Sequence, residues 1–207
     1  MIKKRWGKAL SVALALAMAL GQGNVVVASA TENTEGAKDV VITAEDAAET
    51  KEVVIANSDM SADIWGDDAG WSVTVDDWDS TGASITSYVY SSDQWMDKPS
   101  DESDNGVNYW FGNGAGVLTF SQEIDIPAGT YTFSSEAMGE KGSFYITLED
   151  EKSEAVSLTG YNNWLTGSLS FTTEEDIEDA KLSVVFDVEK EGWGYLNNVK
   201  AIAKDDS

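Results

Sequence analysis

Short runs in which apolar and polar residues alternate recur along most of this 207-residue chain, and they constrain its fold more than any other feature. Ten such runs occupy residues 71–75, 83–90, 107–111, 117–120, 130–134, 143–148, 155–158, 167–171, 182–186 and 195–202. A period of two is typical of a strand that buries one face, and turn signals separate the runs at places such as 127–129, 139–142 and 189–192. The pattern predicts an all-β fold, an antiparallel β-sandwich.

The first thirty residues have the pattern of a secretory signal peptide. Lys3, Lys4 and Arg5 begin a basic start, an apolar run covers residues 9–20, and small residues precede Ala30. The apolar run is too short and wrongly flanked for a membrane anchor, which is the alternative. We expect cleavage after Ala30, an extracellular bacterial location and no membrane contact afterwards.

Residues 31–52 form a predicted acidic linker, because they are rich in Glu, Asp, Ala and Thr and contain no aromatic residue. The sandwich is expected over residues 53–204, a comfortable size for one domain, and residues 205–207 form a short tail. The chain contains no cysteine, so no disulfide supports it in spite of the predicted export. The hydrophobic core must therefore stabilise the domain alone.

The charge of the chain excludes several classes of partner. The formal net charge is −24, from 13 Lys+Arg and 37 Asp+Glu. The signal peptide carries four of the basic residues and no acidic one, so the mature chain has 9 − 37 = −28. A field of this sign repels nucleic acid, anionic lipid and polyuronates, but it leaves neutral ligands unaffected. We expect a monomer that binds neither nucleic acid nor membranes.

The side chains that most often carry out chemistry are missing from the sequence. Without histidine or cysteine, the chain has no His-based hydrolytic triad, no thiol nucleophile and no Cys/His zinc site. Paired carboxylates could still hydrolyse a glycoside, but the acidic clusters at 67–68, 76–79 and 174–176 flank turns, where acids serve backbone geometry and solubility. The glycine-rich stretch 112–116 lacks the context of a dinucleotide-binding loop and is expected to be a turn. A binding protein is the favoured interpretation.

Seven of the eight tryptophans lie between Trp65 and Trp193, and the aromatic residues divide into a predicted core set and a predicted site set. The core set is Trp71, Phe120, Tyr131, Phe133, Phe171 and Phe186, and Trp193 is expected to pack rather than to bind. The site set places rings beside amides in three segments: Tyr88, Tyr90, Gln94 and Trp95; Asn108, Tyr109 and Trp110; Tyr161, Asn162, Asn163 and Trp164. Sugar C–H faces stack on such rings, and sugar hydroxyls bond to such amides. The alternative for each segment is that its rings seal the sandwich.

Oxygen-bearing side chains near both ends of the domain suggest a metal site. Asn57 and Asp59 lie at its start and Asn197 lies in its last predicted strand, and the first and last strands of many sandwiches are neighbours. Because Ca²⁺ takes six or more hard oxygen ligands, these residues are candidate ligands of a structural calcium ion. Ordinary hydrogen bonding of turns and strand edges is the alternative.

The order of several short motifs resembles carbohydrate-binding module family 61. The resemblance extends from about Asn57 to Ile202 and rests on Trp71-Ser-Val-Thr, Tyr88-x-Tyr with Gln94-Trp95, Tyr109-Trp-Phe, Pro127-Ala-Gly-Thr-Tyr-Thr, Ala137-Met-Gly, Gly160-Tyr-Asn-Asn-Trp and Trp193-Gly-Tyr-Leu-Asn. Modules of this family are appended to bacterial arabinogalactan endo-β-1,4-galactanases of glycoside hydrolase family 53. The resemblance implies a jelly-roll sandwich of galactose-binding-like topology that binds β-1,4-galactan and has no catalysis of its own. Related modules often carry Asp in the final strand where this chain has Asn197.

We therefore expect a secreted, non-catalytic module that binds β-1,4-galactan, a neutral plant cell-wall polysaccharide, with a Kd of roughly 10–100 µM, or about −5.5 to −7 kcal/mol. The enzyme's catalytic barrel is not in the sequence, so the module is a free-standing binder or belongs to a larger galactanase. Two other classes stay open: a small β-sandwich glycosidase or lyase, which would release reducing sugar, and a surface module whose rings contact a partner protein.

Overall fold

A computed structural model describes residues 52–90, 96–99 and 104–204 of the chain. These residues belong to one compact unit that extends from Lys51 to Ser207. The predicted signal peptide, all but the last residue of the predicted linker, the tail and the site candidates Gln94 and Trp95 lie outside the described residues. No helix in the described ranges is long and apolar enough to cross a membrane.

The described residues form nine β-strands and one short helix, which confirms the all-β class. In chain order the elements are β1 (Ser72–Val75), α1 (Trp78–Thr81), β2 (Ala83–Val89), β3 (Asn105–Phe111), β4 (Gly116–Ile126), β5 (Gly129–Leu148), β6 (Glu151–Lys152), β7 (Val156–Ser157), β8 (Gly160–Thr173) and β9 (Ile177–Ala203). The strand pairings are antiparallel. The antiparallel arrangement predicted from the alternating runs is therefore confirmed.

Two strands are much longer than the predicted runs, because each joins two of them. The 20-residue β5 contains the runs 130–134 and 143–148, and the 27-residue β9 contains the runs 182–186 and 195–202. The turn signals at 139–142 and 189–192 do not end these strands, since pairing places Glu140 opposite Trp193 and Gly142 opposite Val188. A register shift separates the two pairs, so the glycine-rich signals produce an irregularity of the kind that bends a strand.

The nine strands form one continuous sheet, and residues before and after these bends lie in two parts of it, which we call the first and second layers. The first layer has the order β1–β4–β9–β5 and includes residues 177–188 of β9 and 142–148 of β5. The short strands β6 and β7 pair with the other edge of β5. The second layer has the order β2–β3–β9–β5–β8, with residues 193–203 of β9 and 129–140 of β5. Long strands shared by two layers that pack face to face give the jelly-roll sandwich expected from the resemblance.

Aromatic rings fill the space between the layers. Tyr109 of the second layer packs on Phe186 of the first with ring centroids 4.9 Å apart, and Phe144 stacks on Phe186 at 5.6 Å. The predicted core set is confirmed, since Phe171 is partly buried against the core and the other members are buried: Trp71, Phe120, Tyr131, Phe133 and Phe186. Each fully buried large apolar side chain contributes about 1.5–3 kcal/mol, which explains how the domain holds together without disulfides.

Candidate functional site

Alternation along the second layer turns one set of side chains away from the core. On β9 the fully buried Leu196 faces the core, so Trp193 and Tyr195 face outward. On β3 the same alternation turns Asn108 and Trp110 outward. The strand register then places Asn108 opposite Tyr195 and Trp110 opposite Trp193.

Outward rings of the second layer form one aromatic surface, which we call the ring face. It consists of Tyr88, Tyr90, Trp110, Tyr161, Trp164, Trp193 and Tyr195. The ring centroids of Tyr88 and Tyr195 are 5.1 Å apart and those of Trp193 and Tyr195 are 6.1 Å apart, and both pairs meet edge to face. Met96 and Met138 pack against these rings. The three predicted site segments therefore each contribute a ring to the same surface.

Three members of the ring face form an open row at one end of the surface. Trp110 is 43% exposed and Tyr161 is 49% exposed. The half-buried Trp193 connects them, because it lies opposite Trp110 in the register and its ring centroid is 6.3 Å from that of Tyr161. Exposed rings held on strands in this way can stack on the apolar face of a ligand.

Amides, hydroxyls and a carboxylate border the open row. Asn108 donates from Nδ2 to the Gly194 carbonyl at 3.1 Å, which fixes its amide beside the rings. Ser84 and Glu140 are exposed and lie in the same cross-strand row as the two tryptophans of the open row. Asn163 is also exposed. Donors and acceptors therefore lie beside the stacking surface, as a hydroxyl-rich ligand requires.

Tyr90 is buried beneath its neighbours, which corrects its assignment as a stacking residue. It is 1% exposed, and its ring meets Trp164 edge to face with the centroids 5.4 Å apart. Its hydroxyl lies over Gly106, where any side chain would overlap it, and has no hydrogen-bond partner in the described part of the chain. Burial raises the pKa of this hydroxyl, and the nearby tyrosines and Glu136 raise it further.

Tyr109 is a core ring, which corrects a second assignment. It is 0% exposed because it occupies an inward position of β3. Burial raises the pKa of its hydroxyl, which also has no hydrogen-bond partner among the described residues. The Tyr109-Trp-Phe motif therefore supplies one outward ring, Trp110, between two core rings.

Trp164 and Asn162 hold the segment 96–99 at the border of the ring face. The Trp164 indole N–H donates to the Asp97 carbonyl at 2.8 Å, and Asn162 Oδ1 accepts from the Asp97 amide at 3.0 Å. Asn162 has a φ of 56°, in the left-handed region that asparagine tolerates better than most residues, and its own N–H donates to the Met138 sulfur at 2.9 Å. Both residues thus position a neighbouring segment through their polar groups.

Two carboxylates, Glu136 and Glu140, lie on the outward side of β5. Their Cα atoms are roughly 13 Å apart, because they are four residues apart on one strand at about 3.3 Å per residue. A glycosidase needs two carboxyl groups that are free to act as acid and as base or nucleophile. Glu136 accepts a hydrogen bond from the Asn198 amide group. The arrangement favours binding over acid–base catalysis at this face.

The start of the domain lies beside its last strand, but the side-chain oxygens of the calcium candidates already have partners. The Ser58 carbonyl accepts from the Val199 amide at 2.9 Å, so the start of the domain lies beside its last strand. The side-chain oxygens of Asn57, Asp59 and Asn197 each accept a backbone N–H from one to five residues further along the chain.

These three residues alone do not fit a calcium ion, which takes six to eight oxygen ligands, because only one of the three is a carboxylate. Among the described residues there is no group of three or more His, Cys, Asp or Glu that could hold a metal. The calcium site stays a prediction that requires further oxygen ligands.

The chain is similar in structure to several known proteins, but not in sequence to any family model or curated protein. No protein-family model matches the chain, and no curated protein matches its sequence. The arabinose-bound MgGH51 α-L-arabinofuranosidase is 12% identical over 73% of this chain and 26% of that enzyme, with a TM-score of 0.51. TmCBM61 in complex with β-1,4-galactotriose is 18% identical over 65% of this chain and 88% of that module, with a TM-score of 0.49. A CBM4 structure is 16% identical over 73% of this chain and all of that one, with a TM-score of 0.46. At 12% identity the likeness to the arabinofuranosidase concerns the fold.

Three contributors to the ring face were not among the predicted binding residues: Trp193, Tyr195 and Met138. The motif Trp193-Gly-Tyr-Leu contains the signal for two of them, since an inward Leu196 forces both rings to the opposite side of the strand. Met138 had no comparable signal, because it is neither aromatic nor an amide, although it lies on the opposite side of β5 from the buried Phe133 and Ala137.

Proposed function

We propose that this protein is a non-catalytic carbohydrate-binding module whose ring face binds a neutral glycan. The observation that carries the proposal is the open row, in which Trp110, Trp193 and Tyr161 from three different strands form one partly exposed surface. A pyranose ring has an apolar C–H face that stacks on such rings and hydroxyls at its rim. Asn108 and the exposed polar side chains beside the row are suited to bond those hydroxyls.

Charge and chemistry favour this function over the two other classes. A net charge of −24 disfavours anionic ligands and leaves a neutral glycan unaffected. The sequence has no histidine or cysteine, and of the two outward carboxylates of β5 Glu136 already accepts a hydrogen bond from the Asn198 amide. A protein partner would need roughly 800 Å² of surface, far more than three partly covered rings provide.

The glycan that we propose is β-1,4-galactan, the galactan of pectin and arabinogalactan. Its support is the order of motifs shared with carbohydrate-binding module family 61 from about Asn57 to Ile202. Three of those motifs supply the members of the open row, Trp110, Tyr161 and Trp193. We further propose that the mature protein is secreted after removal of residues 1–30 and acts as a monomer, alone or as the targeting part of an endo-β-1,4-galactanase.

A glycan array followed by affinity gel electrophoresis tests this function. The secreted chain should bind pectic galactan, and the migration shift should change little between low and moderate salt because no ion pair is involved. Polygalacturonate should cause a much smaller shift, since its charge has the same sign as the protein's.

Two controls separate the possible outcomes. Trp110→Ala should lose binding, whereas Thr119→Ala on the outward side of the first layer should retain it. Equal retardation by polygalacturonate would contradict a neutral ligand, and release of reducing sugar from galactan would show an enzyme instead.

A further inference from the structure

A second pair of exposed indoles lies outside the ring face. Trp65, in the segment before β1, and Trp78, the first residue of α1, have ring centroids 6.2 Å apart and planes inclined by 51°. Their side chains are 53% and 40% exposed, as open as the most exposed rings of the ring face. The Trp65 Nε1 donates to the Ile85 carbonyl at 2.9 Å, which places the pair at the free edge of β2, the outermost strand of the second layer.

The fold holds both indoles in place before any ligand arrives. Next to Trp65, the side chain of Ile64 is 2% exposed in the core, and its amide donates to the Ser87 hydroxyl at 2.9 Å. Trp65 itself is fixed through its indole nitrogen, which leaves the faces of the ring, rather than its polar edge, for contact. A stacking surface that is already ordered loses little conformational entropy on binding.

Trp78 is fixed by the caps of its helix. The Asp77 carboxylate accepts from the Ser80 amide at 3.1 Å, and the Gly82 amide donates to the Trp78 carbonyl at 3.1 Å. Gly82 has a φ of 57°, the left-handed conformation that favours glycine at a helix end. The single helical turn therefore presents Trp78 at a defined angle to its partner.

The size of this surface indicates a small ligand unit. If a whole indole side chain has about 200 Å², the two exposed fractions together leave roughly 190 Å² open. A stable protein interface buries about 800 Å² on each partner, so the pair is too small to dock a folded protein. Its area corresponds instead to the face of one or two sugar rings.

The charge around the pair selects a ligand without negative charge. Residues 52–90 contain seven aspartates and one glutamate but no lysine or arginine. Asp77 directly precedes Trp78 in the sequence. Asp63 Oδ1 accepts from the Trp65 backbone amide at 3.3 Å and from the Ser87 hydroxyl at 2.9 Å. Carboxylates repel uronates and phosphates, whereas their oxygens accept hydrogen bonds from sugar hydroxyls.

We propose that Trp65 and Trp78 form a second site for the same neutral glycan, separate from the ring face. This inference rests on the proposed function of the ring face. A chain with two such sites can hold two stretches of one polysaccharide, and the second contact then forms at a high effective concentration. The module would therefore bind polymeric galactan more tightly than it binds a short oligosaccharide.

Calorimetry with β-1,4-galactohexaose and affinity gels with soluble galactan test the second site. The wild-type secreted chain should bind two hexaose molecules, and Trp78→Ala should bind one with the affinity of the ring face unchanged. The affinity of Trp78→Ala for the polymer should fall about tenfold or more, because the bivalent contact is lost. Trp78→Tyr keeps an aromatic ring at the same place and should retain most of the binding.

A second measurement does not depend on how the variants fold. Addition of hexaose to the ¹⁵N-labelled wild-type protein should shift the indole N–H resonances of Trp65 and Trp78 as well as that of Trp110. A stoichiometry of one, or resonances of the pair that do not move while that of Trp110 does, would overturn the second site and leave the proposed function intact. No binding of galactan by the wild-type chain would overturn both.

Discussion

The two layers of the sandwich follow the same alternation, yet their outward faces differ completely. Across the second layer, the outward residues Thr86, Asn108, Tyr195 and Met138 form one row and Ser84, Trp110, Trp193 and Glu140 form another. Across the first layer, the corresponding rows are Thr74, Thr119, Val185 and Tyr145, and Ser72, Ser121, Ser183 and Thr147.

The only ring in those first-layer rows, Tyr145, is covered by Lys152, whose Nζ lies 3.5 Å from the ring centroid. Both faces are antiparallel and include parts of the same two long strands, β5 and β9. The difference shows that the side chains at outward positions, rather than the fold, make one face suited to binding.

Removing two rings of the open row should have the largest effect. Trp110→Ala combined with Trp193→Ala should weaken galactan binding by about 3 kcal/mol or more, a factor of 100 or more. Aromatic side chains that become buried under the ligand carry most of the binding energy of such contacts. Isothermal titration measures the loss. Tyr145→Ala on the first layer is the matched control and should bind like the wild type. A comparable loss of affinity in this control would show that the first layer, rather than the ring face, binds galactan.

Loss of the Trp164 hydrogen bond should reduce stability and should reduce galactan affinity less than the loss of two rings of the open row does. Trp164→Phe keeps a ring against Tyr90 but removes the indole N–H that donates to Asp97. Stability should fall by about 1 kcal/mol, the usual contribution of one hydrogen bond, as denaturant unfolding would show. Galactan affinity should fall less than in the double variant. If it falls as much, Trp164 is itself a stacking residue and the ring face extends further than the open row.

Removing the Tyr109 hydroxyl should change stability only slightly at neutral pH, because this buried group has no hydrogen-bond partner among the described residues. Tyr109→Phe should be as stable as the wild type or more stable by up to about 1 kcal/mol.

At alkaline pH the same variant should behave differently from the wild type. Burial raises the pKa of Tyr109 above its value of about 10 in the unfolded chain, so the unfolded state releases its proton first. The stability that this group contributes is complete below about pH 10 and declines as the pH rises further. Tyr109→Phe should therefore lose stability less steeply above pH 10, and identical alkaline profiles would contradict the assignment of Tyr109 to the core.

Calcium should have the smallest effect on stability, because the side chains of Asn57, Asp59 and Asn197 already accept backbone hydrogen bonds. A bound ion would raise the melting temperature with millimolar Ca²⁺ by mass action, and Asp59→Asn should abolish the rise. Galactan binding should survive chelation, since these residues are not part of the ring face. Melting curves that coincide with and without a chelator would leave the three residues as hydrogen-bonding groups only.

The sequence alone determined the class of fold and most of its core. Burial on one side of a strand is a local property, so a period of two reveals the strands and their inward residues without knowledge of their partners. Trp71, Phe120, Tyr131, Phe133 and Phe186 were assigned to the core on this ground, and each is buried.

Composition misled at two rings that stand beside amides or other rings in the sequence but are buried in the structure. Tyr90 follows the last outward position of β2, yet its side chain lies over Gly106 of β3, a contact that depends on a residue elsewhere in the chain having no side chain. Tyr109 is adjacent to the outward ring Trp110, and the alternation of β3 turns the two side chains to opposite sides. In both cases the composition of the segment was that of a sugar site, and the position of the strand decided otherwise.

Only the tertiary structure decided which rings meet. Trp110, Tyr161 and Trp193 lie on three strands, and antiparallel pairing, together with the bends of β5 and β9, brings them to one end of one layer. Trp65 and Trp78 come together at the edge of β2 because the segments on either side of β1 fold to the same edge. Alternation is set within a few residues, whereas strand order and register depend on contacts between residues far apart in sequence, so the strands could be read from the sequence and the binding surface could not.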